Sequence, residues 1–583
     1  MPSANRIPVQ TFQDAIYGVD FLDPVGLQQP AYRGLAMVQD SRPVQPQVEN
    51  TPQGFLPVRF DDFIGYDYRD KPILSPQQII PHLDTGLSIS GNVITYSFLD
   101  TPTQIGIFNN PHWPATQMDS VSPFSAAQRV VAREGIQLWD DLIPQSFVEK
   151  NGGGADIVFA NTTVGFDGGA EATYPRVPSH LYGGLNSQVR FFNAQAVHSN
   201  VFINGTYWPN QTLDLTSFGY GREALVHEVG HTLGLSHPSP YNFGAPTYDA
   251  DASYAQDSNQ FTVMSYFVAN ETGAFVVDPK TLFYAEPQTP MLDDILAIQA
   301  MYGADPTTRT GDTVYGFHST AGRPVFDFTQ NPLPFLCIYD AGGNDTLDLS
   351  GVNSGVFIDL RPGAFSSAAM VPTLAEANAA VIATNAITDE ATGDAPLWTQ
   401  AGLDAVNGIF QQICSGDIAD YTGVSGVQAM AFENISIAYN TIIENAVGGP
   451  MRDYIVGNDA ANHLYGGGGD DVLNGLGGAD TLYGGDGADE FRFTELGATD
   501  RVADYGLGAD FLNLSEIDAD TTADNDQAFT LVGAFTQSAG QLLLTYNAGL
   551  NTTTVSLDVN GDGHSDMDIL LNGHVTDTSA WVL

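Results

Sequence analysis

Residues 227–237 read HEVGHTLGLSH, and this stretch carries the chain's most specific chemistry. His227 and His231 are four residues apart, so on a helix they share one face, a turn apart. Two imidazoles placed this way can grip one metal ion at about 2.0–2.1 Å each. Gly234 follows three residues later. Glycine takes positive φ at little cost, so the helix can end there and the chain can reverse to bring in His237 as a third ligand. Three protein ligands leave the fourth position to water, which is the arrangement of a catalytic zinc rather than a structural one. Glu228 sits beside the first histidine, near the metal without binding it, and is placed to take the proton of that water. A helix with several histidines on a satisfied polar face is the competing reading. It requires all five positions to match by accident in a chain with 11 histidines among 583 residues. A bare HExxH is a moderate signal, and the extension HExxHxxGxxH is a strong one.

A second pattern occupies the C-terminal half. From Gly448 the chain falls into nine-residue units: GGPMRDYIV, GNDAANHLY, GGGGDDVLN, GLGGADTLY and GGDGADEFR, ending at Arg492. The template is G-G-x-G-x-D-x-U-x, with U a large apolar residue, and it resembles the RTX repeat. The glycines permit tight turns whose carbonyls face inward. The x-U-x part is a short strand, so Ile455, Leu464, Leu473, Leu482 and Phe491 are expected to stack as a core. Carbonyls of Gly466, Gly468, Gly475, Gly477 and Gly484, with the carboxylates of Asp453, Asp470, Asp480, Asp486 and Asp489, are the expected calcium ligands. Calcium takes six to eight oxygens at about 2.3–2.6 Å, which suits this mixture. Asn462 stands where the second unit should have its carboxylate, and the first unit lacks its fourth-position glycine. A flexible Gly/Asp linker would not keep the apolar residues in strict phase. Further on, residues 558–566 (DVNGDGHSD) have oxygen donors at positions 1, 3, 5 and 9, half an EF-hand loop without its final Glu; calcium and a plain turn are equally compatible with it.

These sites need elements to position them. Residues 290–303 keep helical spacing through Leu292, Ile295, Leu296, Ile298 and Met301. The length implies more than one domain. Charge is extreme: 19 Lys+Arg against 68 Asp+Glu, a formal −49, with lysine only at Lys71, Lys150 and Lys280. Nucleic acid and anionic membrane are poor partners for such a surface. No apolar run approaches 18 residues, so no membrane-spanning helix is expected, and the N-terminus lacks the basic and apolar regions of a Sec-type signal. Two cysteines exclude a disulfide scaffold. Cys337 and Cys414 are the only candidates for a bridge, and two buried thiols are the rival reading.

The extended zinc motif resembles the metzincin endopeptidases, which also need a Met-containing turn. Residues 261–267 (FTVMSYF) supply one. The resemblance implies Met264 as an apolar floor beneath the histidines. It implies Tyr266 as an extra zinc ligand at rest that moves to hydrogen-bond the oxyanion. It narrows to the serralysins through GREALV at 221–226, PSPYN at 238–242 and the segments at 94–98, 125–143 and 290–303. Two loops resemble serralysin calcium loops, RTGDTVYGF at 309–317 and DAGGNDT at 340–346. The family pattern implies carbonyls of Arg309, Gly311, Thr313 and Gly342 with the side chains of Asp340, Asp345 and Glu444.

The fold so implied is an α+β metzincin zinc-protease domain over 68–305, followed by an all-β parallel β-roll (RTX) domain over 306–583. Residues 1–67 are an N-terminal extension, expected to be partly disordered and to be a propeptide or binding arm. Residues 366–432 interrupt the family pattern and hold two stretches of helical spacing, 374–384 and 403–413. The cap and secretion region is 493–583. The function implied is a secreted, calcium-stabilised zinc endopeptidase. The alternative from another class is a calcium-dependent adhesion protein whose zinc domain does not cleave, against which an intact Glu228 argues. The implied cofactors are one Zn²⁺ and several Ca²⁺. The implied partners are protein or peptide substrates, type I secretion machinery and a proteinaceous inhibitor, with the chain a monomer. Extended peptide is expected to lie along residues 187–204.

Overall fold

The computed structural model describes residues 60–99, 122–151, 155–162, 170–172, 199–204, 219–242, 246–385, 395–523 and 527–583. The chain divides into two compact units. The first holds residues up to 308 together with 335–339 and 372–409; the second holds the remainder.

In the first unit, strands β1 (Val93–Phe98), β2 (Ser146–Glu149), β3 (Ile157–Thr162), β4 (Ala170–Ala172) and β5 (Ser199–Asn204) form one sheet in the order β2-β1-β3-β5-β4. All neighbours are parallel except β4, which runs antiparallel to β5 with Ala170 opposite Ile203. Ile94 to Phe98 are buried without alternation, as in a strand covered on both faces. The peptide-binding expectation for 187–204 needs correction. Among the described residues its part in the sheet, β5, lies between β3 and β4, and the edges are β2 and β4; residues 187–198 lie outside the described residues.

Helix α1 (Pro76–Leu83) precedes the sheet. Helix α2 (Ala126–Asp140) starts where Ser125 and Gln128 satisfy one another's backbone N–H groups. It buries Val131, Ala132, Ile136 and Trp139, and packs on helix α3 (Tyr220–Leu233) where the Trp139 indole donates to the Val226 carbonyl at 3.1 Å. Helix α4 (Leu292–Tyr302) closes the unit; its Tyr302 hydroxyl donates to the Leu233 carbonyl at 2.8 Å, fixing the end of α3.

The second unit is a parallel coil of short strands. One sheet contains residues 357–359, 454–456, 472–474, 490–492 and 511–513; a second contains 314–316, 346–348, 445–447, 463–468, 481–486 and 500–502. Tyr454 pairs with Val472 and Leu464 with Leu482. That register is two nine-residue units, so each unit contributes one strand and successive units alternate between sheets. The apolar residues at the eighth position, Ile455, Leu464, Leu473, Leu482 and Phe491, are all fully buried. An antiparallel extension through 541–547, 552–558 and 567–572 continues the second sheet.

The insertion departs from an all-β second half. It forms α5 (Leu374–Asn385) and α6 (Gln400–Thr422), the latter longer at both ends than its apolar spacing suggested. Residues 372–409 join the first unit, where the Trp398 indole donates to the Lys280 carbonyl at 2.7 Å. Residues 335–339 join it too, through the Gln288 N–H to the Phe335 carbonyl and the Cys337 N–H to the Thr289 hydroxyl. Cys337 and Cys414 are both buried and unbridged, which answers the disulfide expectation in favour of two thiols. Among the described residues, no helix is long and apolar enough to cross a membrane.

Candidate active site

Helix α3 presents His227 and His231 on one face and ends at Gly234, whose φ is +109°. A β-carbon there would lie 2.0 Å from the Leu87 carbonyl oxygen, so both the backbone angle and the space demand glycine. The reversal brings His237 to the first two histidines. Their Nε2 atoms lie 3.1 Å (His227–His231), 3.1 Å (His231–His237) and 3.3 Å (His237–His227) apart. Each Nδ1–H donates to a backbone carbonyl: His227 to Val263 at 2.7 Å, His231 to Leu235 at 2.8 Å and His237 to Tyr241 at 3.0 Å. A carbonyl only accepts, so Nδ1 carries the proton and each Nε2 offers a lone pair to the common point. Burial pushes the His231 imidazole down to about 4, which keeps it neutral near pH 7. Three lone pairs converging this closely repel one another unless a cation lies between them. A tetrahedral ion with bonds of about 2.0–2.1 Å spaces its ligands roughly 3.3–3.4 Å apart, so the donor set fits zinc.

Glu228 is buried beside His227. The Tyr266 ring centroid lies 4.5 Å from that of His237 and 6.1 Å from that of His227. Met264 is fully buried, and its sulfur takes the room that Gly230 leaves open: a β-carbon on Gly230 would lie 2.7 Å from it. Two residues absent from the motif reading hold the turn. The Asp294 carboxyl accepts from the Thr262 hydroxyl at 2.6 Å and from the N–H groups of Val263 and Met291 at 2.7 and 2.8 Å. Asp257 accepts from Tyr241 and Ser265. Asp294 was legible as an acid in the first turn of a helix; Asp257 had no local signal.

In the second unit, the residues likened to calcium loops come together. Asp345 Oδ1 accepts from the Thr313 N–H at 2.7 Å, and Glu444 accepts from the Asp345 N–H at 2.7 Å. A β-carbon on Gly343 would lie 2.6 Å from the Gly311 carbonyl oxygen and from Asp345 Oδ1. Arg309 has φ +50°, and its guanidinium lies over the Tyr315 and Phe326 rings. Asp340 accepts from the Gly342 N–H at 2.9 Å and the Tyr315 hydroxyl at 2.7 Å.

The repeats carry a buried row of side chains at the sixth position. Each backbone N–H reaches the carboxylate one coil on: Asp453 to Asp471, Asn462 to Asp480, Asp471 to Asp489 and Asp480 to Asp500. The row thus contains Asp471, and the reading of Asp470 is corrected. Counting from Gly466 places position six at 471, while the Asp470 carboxylate accepts from the Ala488 N–H outside the row. Gly475 and Gly484 leave room for it, since a β-carbon on either would lie 2.1 Å from Oδ2 of Asp480 or Asp489. A β-carbon on Gly466 would lie 2.4 Å from Asp471 Oδ2. Gly468 pairs with Asp486 across the second sheet, and Gly477 lies beside Asp459. The Oδ2 atoms of Asp345, Asp471, Asp480 and Asp489 are buried without a hydrogen-bond partner. Unpaired buried carboxylate oxygens are costly, and a divalent cation between coils would relieve them. The 558–566 loop closes on its own amides, with the Gly561 and Gly563 N–H groups donating to Asp558.

Burial pushes the carboxyls of Asp471 and Asp480 up to about 8, Asp453 and Asp345 to about 7, and Asp489 and Asp500 to about 6. Their folded pKa values exceed the unfolded value of about 3.9, so the folded state holds more protons. In chelator, the stability they allow is full below about pH 4 and is lost as pH rises through 6 to 8. The melting temperature in EDTA should therefore fall by roughly 10 °C between pH 5 and pH 8. A scan showing no fall, or a rise, would count against the buried row.

The family model described as "Peptidase M10 serralysin C terminal" matches residues 304–397 and 398–583. The chain is 37% identical over 482 residues to "Metallopeptidase AprA" of Pseudomonas marginalis, covering 81% of this chain and 82% of the relative. It is 34% identical over 514 residues to "Serralysin" of Proteus mirabilis, covering 83% and 86%. It is 34% identical over 488 residues to "Serralysin G" of Dickeya chrysanthemi, covering 82% of each.

Proposed function

The chain belongs to the serralysin family of metalloproteases, and from that premise we propose that it is a secreted, calcium-stabilised zinc endopeptidase working through His227, His231, His237, Glu228 and Tyr266. One observation carries the reading of the site: three histidine Nε2 atoms within 3.3 Å of one another, each with its Nδ1–H committed to a backbone carbonyl. Zinc held there supplies a Lewis acid that polarises the scissile carbonyl and acidifies water.

The protein's own groups do the rest. The Glu228 carboxylate takes a proton from the attacking water and returns it to the leaving amine. Its buried position raises the strength of that interaction by excluding competing solvent. The Tyr266 hydroxyl donates to the oxyanion as charge builds on it. Among the described strands β4 lies at an edge of the sheet, where an extended peptide would lie as an added strand. The carboxylates of Asp453, Asp471, Asp480, Asp489 and Asp345 hold calcium in the second unit, with carbonyls of Arg309, Gly311, Thr313, Gly342 and the repeat glycines. The resemblance to serralysins favours export by a type I route read from the C-terminal region.

Because the Tyr266 bond forms mainly in the transition state, Tyr266→Phe should lower kcat about 10- to 100-fold while KM changes less than about threefold. Steady-state kinetics on a quenched peptide check this. A rise in KM at unchanged kcat would assign Tyr266 to substrate binding instead. The function as a whole is tested by incubating the purified chain with casein and mapping the cuts. Internal peptide bonds should be cleaved, and phenanthroline should stop the cleavage.

A further inference from the structure

Asp257 lies outside the zinc motif and the Met-containing turn, yet it joins the two. It is fully buried. Its Oδ1 accepts from the Tyr241 hydroxyl at 2.7 Å and from the Ser265 hydroxyl at 2.7 Å; its Oδ2 accepts from the Ser239 hydroxyl. Ser239 and Tyr241 belong to the segment that follows His237. Ser265 lies between Met264 and Tyr266. One carboxylate therefore ties the loop of the third histidine to the loop of the tyrosine.

Tyr241 passes this restraint to both. Its carbonyl takes the His237 Nδ1–H at 3.0 Å, and its ring stacks on the His237 ring at 5.5 Å and 23°. Its hydroxyl oxygen accepts the Tyr266 N–H at 3.4 Å, and the two tyrosine rings are 5.0 Å apart. The side chains that set the direction of His237 and the backbone of Tyr266 thus share one anchor. Multiple hydroxyl donors on a buried carboxylate make a stiff junction, because turning any one of them leaves a buried polar group unpaired.

We propose that Asp257 is a positioning residue for the proteolytic reaction, holding His237 and Tyr266 in mutual register through Tyr241. This rests on the assignment of His237 and Tyr266 made above. It touches neither substrate nor metal, and its effect is transmitted entirely through those two residues.

The test uses the full-length chain with zinc and calcium. Asp257→Ala, Asp257→Asn, Tyr241→Phe, Tyr266→Phe and the Asp257→Ala/Tyr266→Phe double variant are compared by kcat, KM and the rate of zinc release into a chromogenic chelator. Asp257→Ala should lower kcat about 10-fold or more with KM within about threefold, and release zinc several-fold faster. Asp257→Asn keeps an oxygen for Tyr241 and Ser265 and should recover most of both. Tyr241→Phe keeps the ring and the carbonyl and removes only the hydroxyl link. It should reproduce the kcat loss even if Asp257→Ala does not fold. In the double variant the loss should fall short of the product of the single losses, because the part of Asp257's effect that reaches the oxyanion passes through Tyr266.

Losses that multiply, or zinc release at the wild-type rate in both Asp257→Ala and Tyr241→Phe, would overturn the proposal. An unimpaired Tyr266→Phe would instead remove the oxyanion assignment, and the zinc-release comparison would then decide whether Asp257 still positions His237.

Discussion

Replacing Glu228 by alanine should abolish proteolysis while the chain keeps about one zinc. The expectation follows from where the carboxylate sits. Three histidine nitrogens already converge within 3.3 Å, and each is oriented by a backbone carbonyl that the substitution leaves alone. The metal site should therefore survive. What goes is the only group of the motif placed to accept a proton from attacking water and deliver it to the leaving amine. Loss of such a group typically costs 10²–10⁴-fold, and here one residue serves both transfers, so a fall of at least about 10³-fold in kcat/KM is expected. Glu228→Gln keeps the shape without the basicity and should be as inactive. Activity above a few per cent in either variant would remove Glu228 from the reaction. Zinc lost together with activity would make it a ligand or a structural support.

The second large effect concerns calcium. Removing it from the full-length chain should unfold much of the second unit. Asp345, Asp471, Asp480 and Asp489 each bury an oxygen without a hydrogen-bond partner, and Asp471 stands in the row between the carboxylates of Asp453 and Asp489. Residues 448–583 hold 22 Asp+Glu against 3 Arg and no Lys, so the segment's own cations are too few to balance its carboxylates without the ion. Each site saturated a hundredfold above its dissociation constant adds about 2.7 kcal/mol. Several sites together should raise the melting temperature by well over about 10 °C. Far-ultraviolet circular dichroism should lose strand signal in EDTA at pH 8 and regain it with millimolar Ca²⁺, while Mg²⁺, which needs a tighter octahedron, should restore much less. A spectrum and melting point indifferent to calcium would contradict the reading of the row as cation sites.

Most of the site was readable from spacing because its parts are local. The i, i+4 histidines, the glycine stop and the third histidine all lie within eleven residues. The helix at 292–302 was readable for the same reason, through apolar residues at helical period, whereas the helix at 126–140 was legible only through the resemblance to serralysins. The coil was readable because its apolar position never loses phase. The misreading of Asp470 arose where two aspartates stand together and only the count from Gly466 separates them. What stayed hidden depends on pairing between distant segments. The strand order that puts β4 at an edge is set by contacts across about 30 residues, which no local pattern records. Trp398 gives no hint in sequence that its indole donates to the Lys280 carbonyl, within the part of the insertion, 372–409, that joins the first unit. Asp257 looked like one acid in a polar run, and its role appears only when Ser239, Tyr241 and Ser265 close around it.

Peptide cleavage should depend on a zinc held by the three histidines. Metal analysis of the purified chain alongside casein hydrolysis, before and after zinc is stripped and restored at constant calcium, shows whether it does. About one zinc per chain is expected, with cleavage that falls with zinc content and recovers on adding one equivalent. Undiminished cleavage by zinc-free protein, or a chain that retains its zinc after His227, His231 and His237 are all replaced by alanine, would contradict this expectation.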